Sequence, residues 1–371
     1  MLKKVIRYIG IGIVEISVIV VVSFYLVVVS GQYKSIQELW VTTAMTTFNH
    51  QWLATSFISE DVVNEIMERT KVDDAQYATD TSQLNFSIKD GFGDINQIWY
   101  KGNVIEDLAS KGSRSLIDAD ETFRGIEQAK EDKKYEKQGY RKLNDGIYIK
   151  DTEGTGYKGY LLLVSDPSRV SLTQTDTQFE CGQTVKQMVE NSGAIVGINA
   201  GGFADGPNYD SNGGIPAGLL IINGEVINSG YREKSSVIGF NSKNMLVLGK
   251  MSQDEAIEAE IRDSVEFKPF LIVNGETVIK EGNGGWGIAP RTALGQRETG
   301  EVIFLCIDGR QVHSIGVDIR VLQDTLYEEG CINAAMVDGG SSTVMYHSEI
   351  GYLNKPSLGH ERYINNCWVV K

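Results

Sequence analysis

Proline, cysteine and histidine are scarce in this chain of 371 residues, which contains six, four and four of them. Six prolines beside forty glycines indicate a chain rich in turns and hairpins and argue against a disordered one. No two cysteines or histidines have the Cys-x-x-Cys or His-x-x-x-His spacing, so the sequence does not predict a zinc site.

The few cysteines leave two interpretations open. Their even number is compatible with disulfides if they lie outside the cell. Cys306 and Cys331 lie within or beside apolar runs, and this placement favours buried free thiols. The other two are Cys181 and Cys367.

Basic residues are outnumbered by acidic ones, 35 to 49, which gives a formal charge of -14. Residues 1–30 carry a net charge of +2, so residues 31–371 carry -16. A surface of this sign repels nucleic acid and anionic lipid head groups. The sequence therefore predicts no nucleic-acid partner.

One long hydrophobic run stands near the N-terminus, where residues 16–29 are apolar apart from two serines. Residues 5–29 are long enough to cross a bilayer as a helix. Lys3, Lys4 and Arg7 precede or begin this run, so the N-terminus should stay inside and the rest should lie outside. A cleaved signal peptide is the alternative, but its apolar region would be shorter and no clear cleavage site follows. We expect an uncleaved signal anchor in the cell membrane and an extracytoplasmic body.

Residues 31–75 have helical periodicity, and the apolar residues that recur at that spacing are Ile36, Leu39, Trp40, Ala44 and Phe48. A second helix is expected from Ser59 or from Glu60 and Asp61 onwards. The charged stretch 113–142 predicts a solvated helix or linker.

From residue 147 short apolar strands alternate with turns. Asn223-Gly224 and Asn274-Gly275 each predict the turn of a hairpin. Helices are expected over 182–192 and 318–329. The second joins a strand ending at residue 308 to one ending at residue 338, which predicts a parallel pair.

The expected fold class is α+β, with a mixed β-sheet, hairpins and flanking helices, preceded by one transmembrane helix and a helical N-terminal extension. The expected domains are a cytoplasmic tip and anchor (1–30), an extracytoplasmic extension (31–142) and a catalytic domain (143–371).

Two apolar strands end in Asp-Gly, at Asp308 and Asp338. Each places a carboxylate at a strand tip, and the glycines allow other backbone or a ligand to approach closely. Arg310 follows the first pair, and hydroxyl residues follow the second. This pattern predicts a convergent polar site, although Asp-Gly after a strand can be only a turn.

Four segments together resemble one family: GINAGGF (197–203), PRTA (290–293), DGR (308–310) and DGGSST (338–343). Their order and spacing resemble the phosphodiester glycosidase family, which includes the mannose-6-phosphate uncovering enzyme. The likeness covers residues 147–371. Residues 40–54 further resemble membrane-anchored bacterial members associated with exopolysaccharide. Where the family often has asparagine two residues before the last motif's aspartate, this chain has Met336.

The resemblance implies hydrolysis of a sugar–phosphate diester at the anomeric carbon. That chemistry needs a carboxylate as nucleophile or base, and cations for the departing phosphate. The candidate catalytic residues are Asp338, Asp308 and Asp205, and the candidate phosphate clamps are Arg291 and Arg310. The other candidate binding residues are Asn199, Gly201, Gly202, Gly339, Gly340, Ser341, Ser342 and Thr343. The backbone N–H groups of Gly339 and Gly340 are expected to form an anion-binding nest with the three hydroxyls.

Several features have competing interpretations. The loop around Asp205 and residues 210–214 is expected to be a plain surface loop, and the alternative is a site for a divalent cation such as Ca²⁺. Trp286 is expected either to stack on a sugar or to pack in a core or lid. His347 follows the last motif and is interpreted as structural rather than as an acid or base. Ser341 lacks the Gly-x-Ser-x-Gly pattern of a serine hydrolase nucleophile.

The sequence thus predicts an extracytoplasmic hydrolase acting on a sugar-phosphate or phosphorylated glycan of the cell envelope or an exopolysaccharide. Two alternatives remain. One is a non-catalytic module that binds phosphorylated polysaccharide in an export or synthesis complex. The other is a structural scaffold of an envelope complex. We expect Asn199, Arg291, Asp308, Arg310, Asp338 and Ser341 to line one pocket.

Overall fold

The computed structural model describes residues 2–47, 50–83, 116–205 and 211–371, and side chains from residue 11 onwards, with those of 116–123 excluded. The chain forms two compact units. The first contains Met1–Val72, Ile279–Ile288 and Asp318–Arg320. The second contains Asp73–Val278, Ala289–Val317 and Val321–Lys371. The side chains of Lys3, Lys4 and Arg7, and Phe48 and Asp210, fall outside the described residues.

The first unit is helical. Its helices are α1 (Leu2–Phe24), which continues as a π-helical turn (Tyr25–Val29), α2 (Lys34–Met45), α3 (Trp52–Thr55) and α4 (Glu60–Arg69). The segment Ile11–Val29 is long and apolar enough to cross a membrane. The expected helices after the apolar segment are thus confirmed. The second begins at Glu60, as its acidic first turn indicates.

A small core ties the end of the apolar helix to the helices that follow it. Val28 packs with buried residues of α2, α3 and α4. The Phe24 ring lies edge-on to Trp40, with ring centres 5.1 Å apart, and to Phe57, with ring centres 5.3 Å apart. This unit therefore buries the last turns of the apolar helix in its own core.

The glycine-rich segment 282–287 belongs to the same unit. The Asn283 side-chain amide donates to the Thr42 hydroxyl at 2.7 Å. The Ile288 N–H donates to the Thr43 hydroxyl at 3.0 Å. The segment is therefore a brace on α2, and Trp286 lies within it, partly buried.

The second unit is built from three β-sheets. Its strands are β1 (Arg141–Asn144), β2 (Ile147–Gly154), β3 (Tyr157–Val164), β4 (Val170–Gln174), β5 (Val196–Asn199), β6 (Leu219–Ile222), β7 (Glu225–Ser229), β8 (Ser235–Asn241), β9 (Leu246–Met251), β10 (Ile261–Glu266), β11 (Phe270–Val273), β12 (Glu276–Thr277), β13 (Arg291–Arg297), β14 (Val302–Ile307), β15 (Cys331–Met336), β16 (Met345–His347), β17 (Gly351–Tyr352) and β18 (Asn366–Val370).

Long-range pairing sets the strand order. The largest sheet has the order β1-β2-β3-β14-β13-β15-β11-β12, and the five-stranded sheets have the orders β7-β6-β10-β8-β9 and β17-β16-β5-β18-β4. The α+β class is confirmed. The expected parallel pair is wrong, because β13 lies between β14 and β15 and pairs antiparallel with both.

Four helices accompany the strands: α5 (Leu116–Glu136), α6 (Val185–Ser192), α7 (Gln253–Glu258) and α8 (Ile319–Glu328). Helix α6 begins with a capping box, in which the Thr184 hydroxyl accepts from the Gln187 N–H and the Gln187 side chain accepts from the Thr184 N–H. Helix α8 joins β14 to β15, as expected.

Both Asn-Gly hairpins form where the sequence predicts them. Asn223 and Gly224 have φ values of 52° and 80°, and Asn274 and Gly275 have 54° and 79°. Two successive residues with positive φ are typical of the type I′ turn, whose twist matches that of the strands.

The four cysteines are free thiols, and all but Cys181 are buried. Burial raises the pKa of Cys331 to about 12 and holds the pKa of Cys367 well above its usual range. These thiols are therefore poor nucleophiles and serve as small apolar side chains.

Candidate active site

The two Asp-Gly segments lie at the same end of the large sheet. Strand β13 begins at Arg291, which pairs with Ile307 of β14. On the other side of β13, Ala293 pairs with Met336 of β15. Asp308 and Asp338 therefore follow the two strands that flank β13, beside its first residues. With about 4.8 Å between adjacent strands, their backbones lie roughly 10 Å apart.

Both Asp-Gly segments pack against Pro290, the residue before β13. A β-carbon on Gly309 would lie 2.5 Å from the Pro290 nitrogen, so only glycine fits there without a shift. The Gly340 N–H donates to the Pro290 carbonyl oxygen at 2.9 Å. The glycines thus allow the close backbone approach that the sequence predicts.

Asp308 is fully buried, and its carboxylate has three protein partners. Oδ1 accepts from the Asn354 side-chain amide at 3.2 Å and from the Lys355 N–H at 2.9 Å. Oδ2 lies 3.0 Å from Nε2 of His313. A carboxylate enclosed in this way holds other groups in place and has no face left for a substrate.

Asp338 has the opposite character because it is partly exposed. Its Oδ1 accepts from the Gly339 N–H at 2.9 Å, and the Ser342 side chain also bonds to the carboxylate. Burial raises its pKa to about 6, although the Ser342 bond and the positive charge of Arg362 oppose that rise. A carboxyl group that titrates near neutral pH suits acid–base work.

Asp205 and Arg362 form an ion pair beside Asp338. Arg362 Nη2 lies 3.0 Å from Oδ1 of Asp205, and the guanidinium lies over the Phe203 ring, 4.6 Å from its centre. The charge of Asp205 raises the pKa of Asp338 and that of Arg362 lowers it. Arg362 was not predicted from the sequence. Its position shortly before the last strand is the only feature of the local sequence that marks it.

The two candidate phosphate clamps differ in exposure. Arg291 is buried, and its Nε donates to the Val317 carbonyl oxygen at 3.3 Å. Arg310 is exposed and has a φ of 58°. Its guanidinium lies beside Gly340, where a β-carbon would be 3.5 Å from Nη2. Of the two, Arg310 is the one that a ligand can reach in this structure.

Asn199 is fully buried and positions the Asp338 loop. Its amide nitrogen donates to the Asp338 carbonyl oxygen at 2.5 Å. Its oxygen accepts from the Thr292 hydroxyl at 2.8 Å and from the Val344 N–H at 3.2 Å. Asn199 therefore contributes through Asp338, with its own side chain enclosed by protein.

The expected anion-binding nest is not available in this arrangement. The Gly339 N–H bonds to the Asp338 carboxylate, and the Gly340 N–H bonds to Pro290. The Gly201 N–H donates to Oδ1 of Asn366 at 2.7 Å, and the Gly202 N–H donates to the Glu266 carbonyl oxygen at 3.3 Å. These amides have protein acceptors because the loops close on themselves.

The three hydroxyls after Gly340 have different surroundings. Ser341 is partly exposed, and Ser342 is buried and bonded to Asp338. Thr343 is buried, and among the described residues its hydroxyl oxygen has no hydrogen-bond partner. Of the three, Ser341 remains the candidate for contact with a substrate.

His347 is structural, as interpreted from the sequence. It is buried, its Nε2 lies 2.7 Å from Oδ1 of Asn144, and its Nδ1 accepts from the Glu349 N–H at 3.1 Å. Burial lowers its pKa. A neutral ring with both nitrogens bonded cannot exchange protons with a ligand.

His313 is a second residue that the sequence analysis missed. Nε2 of its ring lies 3.0 Å from Oδ2 of Asp308, and 27% of its side-chain surface is exposed. The residue lies three positions after Arg310, in the loop between β14 and α8.

Within the described residues, no group of three or more His, Cys, Asp or Glu side chains is placed to hold a metal ion.

Comparison with known proteins finds a similarity over the C-terminal half of the chain. Residues 192–371 match the family model of the phosphodiester glycosidases. The matched range contains every candidate site residue, so the resemblance to this family is confirmed. Over this range the chain is similar to the phosphodiester glycosidases.

Curated relatives match a similar stretch. The chain is 30% identical over 192 residues to the SPβ prophage-derived uncharacterized protein YomE of Bacillus subtilis, covering 49% of this chain and 28% of that protein. It is 26% identical over 176 residues to N-acetylglucosamine-1-phosphodiester α-N-acetylglucosaminidase of Bos taurus, covering 43% and 32%. The matches thus span less than a third of each relative's length.

Solved structures share the fold. The catalytic domain of the zebrafish N-acetylglucosamine-1-phosphodiester α-N-acetylglucosaminidase, auto-inhibited by its pro-peptide, superposes with a TM-score of 0.51 at 22% identity, covering 60% of this chain and 81% of that one. A hypothetical protein from Synechocystis gives 0.50 at 14% identity, covering 62% and 63%. The α+β arrangement of this chain is therefore one that such domains adopt.

Proposed function

We propose that the protein hydrolyses the bond between an anomeric sugar carbon and a phosphodiester, acting on a cell-envelope or exopolysaccharide glycan. One observation carries the proposal. Asp338, with a pKa raised to about 6, is partly exposed beside an arginine–carboxylate pair, and the free guanidinium of Arg310 lies at the same loop. The family match of residues 192–371 gives the reaction class.

The site divides the work between charge and proton transfer. A glycosidic phosphate is a good leaving group, so binding its charge matters more than protonating it. Arg310, exposed beside Gly340, is suited to that task because a guanidinium bonds two phosphate oxygens at once. Asp338 acts at the anomeric carbon as nucleophile or as base for water. Asp205 sets the charge around it, and Asp308 holds the loop that carries Arg310.

The deciding assay is release of free sugar from a panel of sugar-1-phosphodiesters, with N-acetylglucosamine first. The wild type should release sugar, and Asp338→Asn should release it about 10²–10⁴-fold more slowly. Asp145→Asn is the matched control, since that side chain is 83% exposed and, in the part of the chain that the structure describes, bonds only to Lys142. Binding without release across the panel would favour the non-catalytic binding module.

We further propose that the protein is a single-pass membrane protein with its catalytic domain outside. The apolar side chains of residues 11–22 are exposed, Val21 by 65%, as expected of a helix surrounded by lipid. The buried join between Phe24 and the following helices continues the span directly into folded protein. Both features support an anchor that stays attached.

Protease added to intact cells tests the orientation. The protein should be trimmed from its C-terminal side while a cytoplasmic marker protein stays intact. Full protection in cells whose outer layers admit the protease would contradict the proposed orientation. A product that lacks residues 1–30 in untreated cells would show instead that the segment is a cleaved signal.

A further inference from the structure

Protein groups satisfy several of the last carbonyls of the apolar helix. The Leu26 carbonyl oxygen accepts from the Ser30 hydroxyl at 2.7 Å. The buried Gln37 side-chain amide donates to the Val28 and Val29 carbonyl oxygens at 3.0 and 3.2 Å. The end of a helix otherwise leaves such carbonyls to water. These bonds therefore allow the helix to end in a layer where water is scarce, since unpaired carbonyls are costly there.

The helical unit contacts the apolar helix before its hydrophobic segment ends. The segment Ile11–Val29 contains 19 residues and is roughly 28 Å long as a helix, close to the thickness of about 30 Å of a bilayer's hydrocarbon core. The ring centres of Phe57 and Phe24 lie 5.3 Å apart. Phe24 lies roughly 7 Å before the end of this segment, measured along the helix axis. A segment that fills the hydrocarbon core therefore places Phe57 at or below the membrane surface.

The part of the helical unit at this level is uncharged and displays aromatic rings. Residues 39–59 contain no Asp, Glu, Lys or Arg, although residues 31–371 carry a net charge of -16. Trp52 is 55% exposed and Phe57 is 46% exposed. Between them, Ala54 packs in the buried core that includes Val28 of the apolar helix. Segment 52–58 is thus held against the end of the apolar helix, with two large rings on its outside.

We propose that segment 52–58 lies in the interfacial layer of the membrane, with Trp52 and Phe57 in contact with lipid. The partner is the bilayer itself, at the boundary between head groups and acyl chains, where tryptophan is enriched because its ring is apolar and its N–H is polar. The lipid contact continues the contact that the apolar helix makes. This assignment rests on the proposed membrane anchor, but it depends neither on the orientation of the protein nor on the proposed reaction.

The test measures tryptophan fluorescence of the full-length protein in phosphatidylcholine vesicles whose acyl chains carry bromine, which quenches on contact. The chain has five tryptophans, so the difference between the wild type and Trp52→Phe isolates the signal of Trp52. Brominated lipid should quench that signal, and iodide in the water should leave it largely unchanged. Phe57→Trp, made in the Trp52→Phe background, moves the probe to the ring that contacts Phe24. Bromine placed farther from the head groups should quench this second probe.

A control probe on the same helical unit checks that the quenching is local. Glu68→Trp, made in the Trp52→Phe background, replaces a side chain of α4 that is 78% exposed and charged. Iodide should quench this probe and brominated lipid should spare it. If brominated lipid quenches it as strongly as it quenches Trp52, the contact is not specific to segment 52–58 and the proposal is wrong.

Flotation of the vesicles separates this proposal from the anchor on which it rests. If the protein floats with the vesicles and Trp52 is quenched by iodide alone, the anchor stands and the lipid contact of segment 52–58 is wrong. Protection of Trp52 from both quenchers would show that protein, such as a second copy of this chain, covers the segment, and it would equally contradict the proposal. A protein that does not float with the vesicles would overturn both the anchor and the lipid contact.

Discussion

Asn354 holds Asp308 and, with the same side-chain nitrogen, the loop that begins at Asp338. That nitrogen lies 3.2 Å from Oδ1 of Asp308 and 3.2 Å from the Thr343 carbonyl oxygen. The Asn354 oxygen accepts from the Met345 N–H at 2.7 Å. One buried amide therefore fixes the two Asp-Gly segments relative to each other. The proposed roles of Asp338 and Arg310 both depend on that arrangement.

Asn354→Ala should lower the free energy of unfolding by about 2–3 kcal/mol, because it leaves buried partners without a hydrogen bond. Unfolding of the purified full-length protein by denaturant measures the change. Asn191→Ala is the control, since Asn191 is exposed and, among the described residues, its side chain bonds only to Asp176. Its effect should stay within about 0.5 kcal/mol. Equal stability of the two variants would show that Asn354 does not hold the segments together.

Gly309→Ala should be strongly destabilising, by roughly 2 kcal/mol or more, since the added carbon meets Pro290 backbone that must move. The shift should also reduce sugar release, because Asp308 and Arg310 flank this glycine. Gly125→Ala is the matched control. Gly125 lies in helix α5, where no atom of the described residues comes within 4 Å of an added carbon. That variant should therefore be more stable by about 0.5–1 kcal/mol. Thermal unfolding of both variants checks the opposite signs.

Local chemistry explains what could be predicted from the sequence. The Asn-Gly turns set their own positive φ values, and the helix limits follow from caps and apolar spacing. The placement of Asp308 and Asp338 at one sheet end also followed, because each ends an apolar strand. These features depend on residues close together in the chain.

What could not be predicted depends on distant partners. Strand β13 separates β14 from β15 because of pairing across the sheet, which a strand–helix–strand pattern does not encode. Asp308 looked catalytic, but Asn354 and Lys355 enclose it. Arg362 and Asp205 form an ion pair although they are 157 positions apart in the sequence, so the sequence around either residue does not indicate the pair.

Asp338→Asn should reduce turnover by about 10²–10⁴-fold while substrate binding is largely kept, since it removes the charge and preserves the shape. The Asn oxygen can still accept from the Gly339 N–H. Single-turnover sugar release, measured beside binding of uncleaved substrate, separates the two effects. A variant that keeps full turnover would remove Asp338 from the reaction.

The same substitution should stabilise the fold at neutral pH. The pKa of Asp338 is raised to about 6 from an ordinary value of 3.8, so above pH 6 the folded state carries an ionised, partly desolvated carboxylate. Allowing for its partial exposure, removal of this charge should raise the free energy of unfolding by about 1–2 kcal/mol. The gain should shrink as the pH falls from 6 towards 3.8 and should vanish below that, where the group is protonated in both states. Unfolding measured at pH 7.5 and 4.5 checks the sign.

Arg362→Gln and Asp205→Asn should move the acid limb of the pH–rate profile in opposite directions. The charge of Arg362 lowers the pKa of Asp338, so its removal should shift the loss of activity to higher pH. The charge of Asp205 raises that pKa, and its removal should shift the limb to lower pH. The profile of kcat/KM between pH 4.5 and 8 measures both shifts. Arg232→Gln is the control, because this exposed arginine pairs with Glu266 at 3.5 Å and should leave the limb in place. Shifts of the same sign in the two site variants would mean that the limb reports a group other than Asp338.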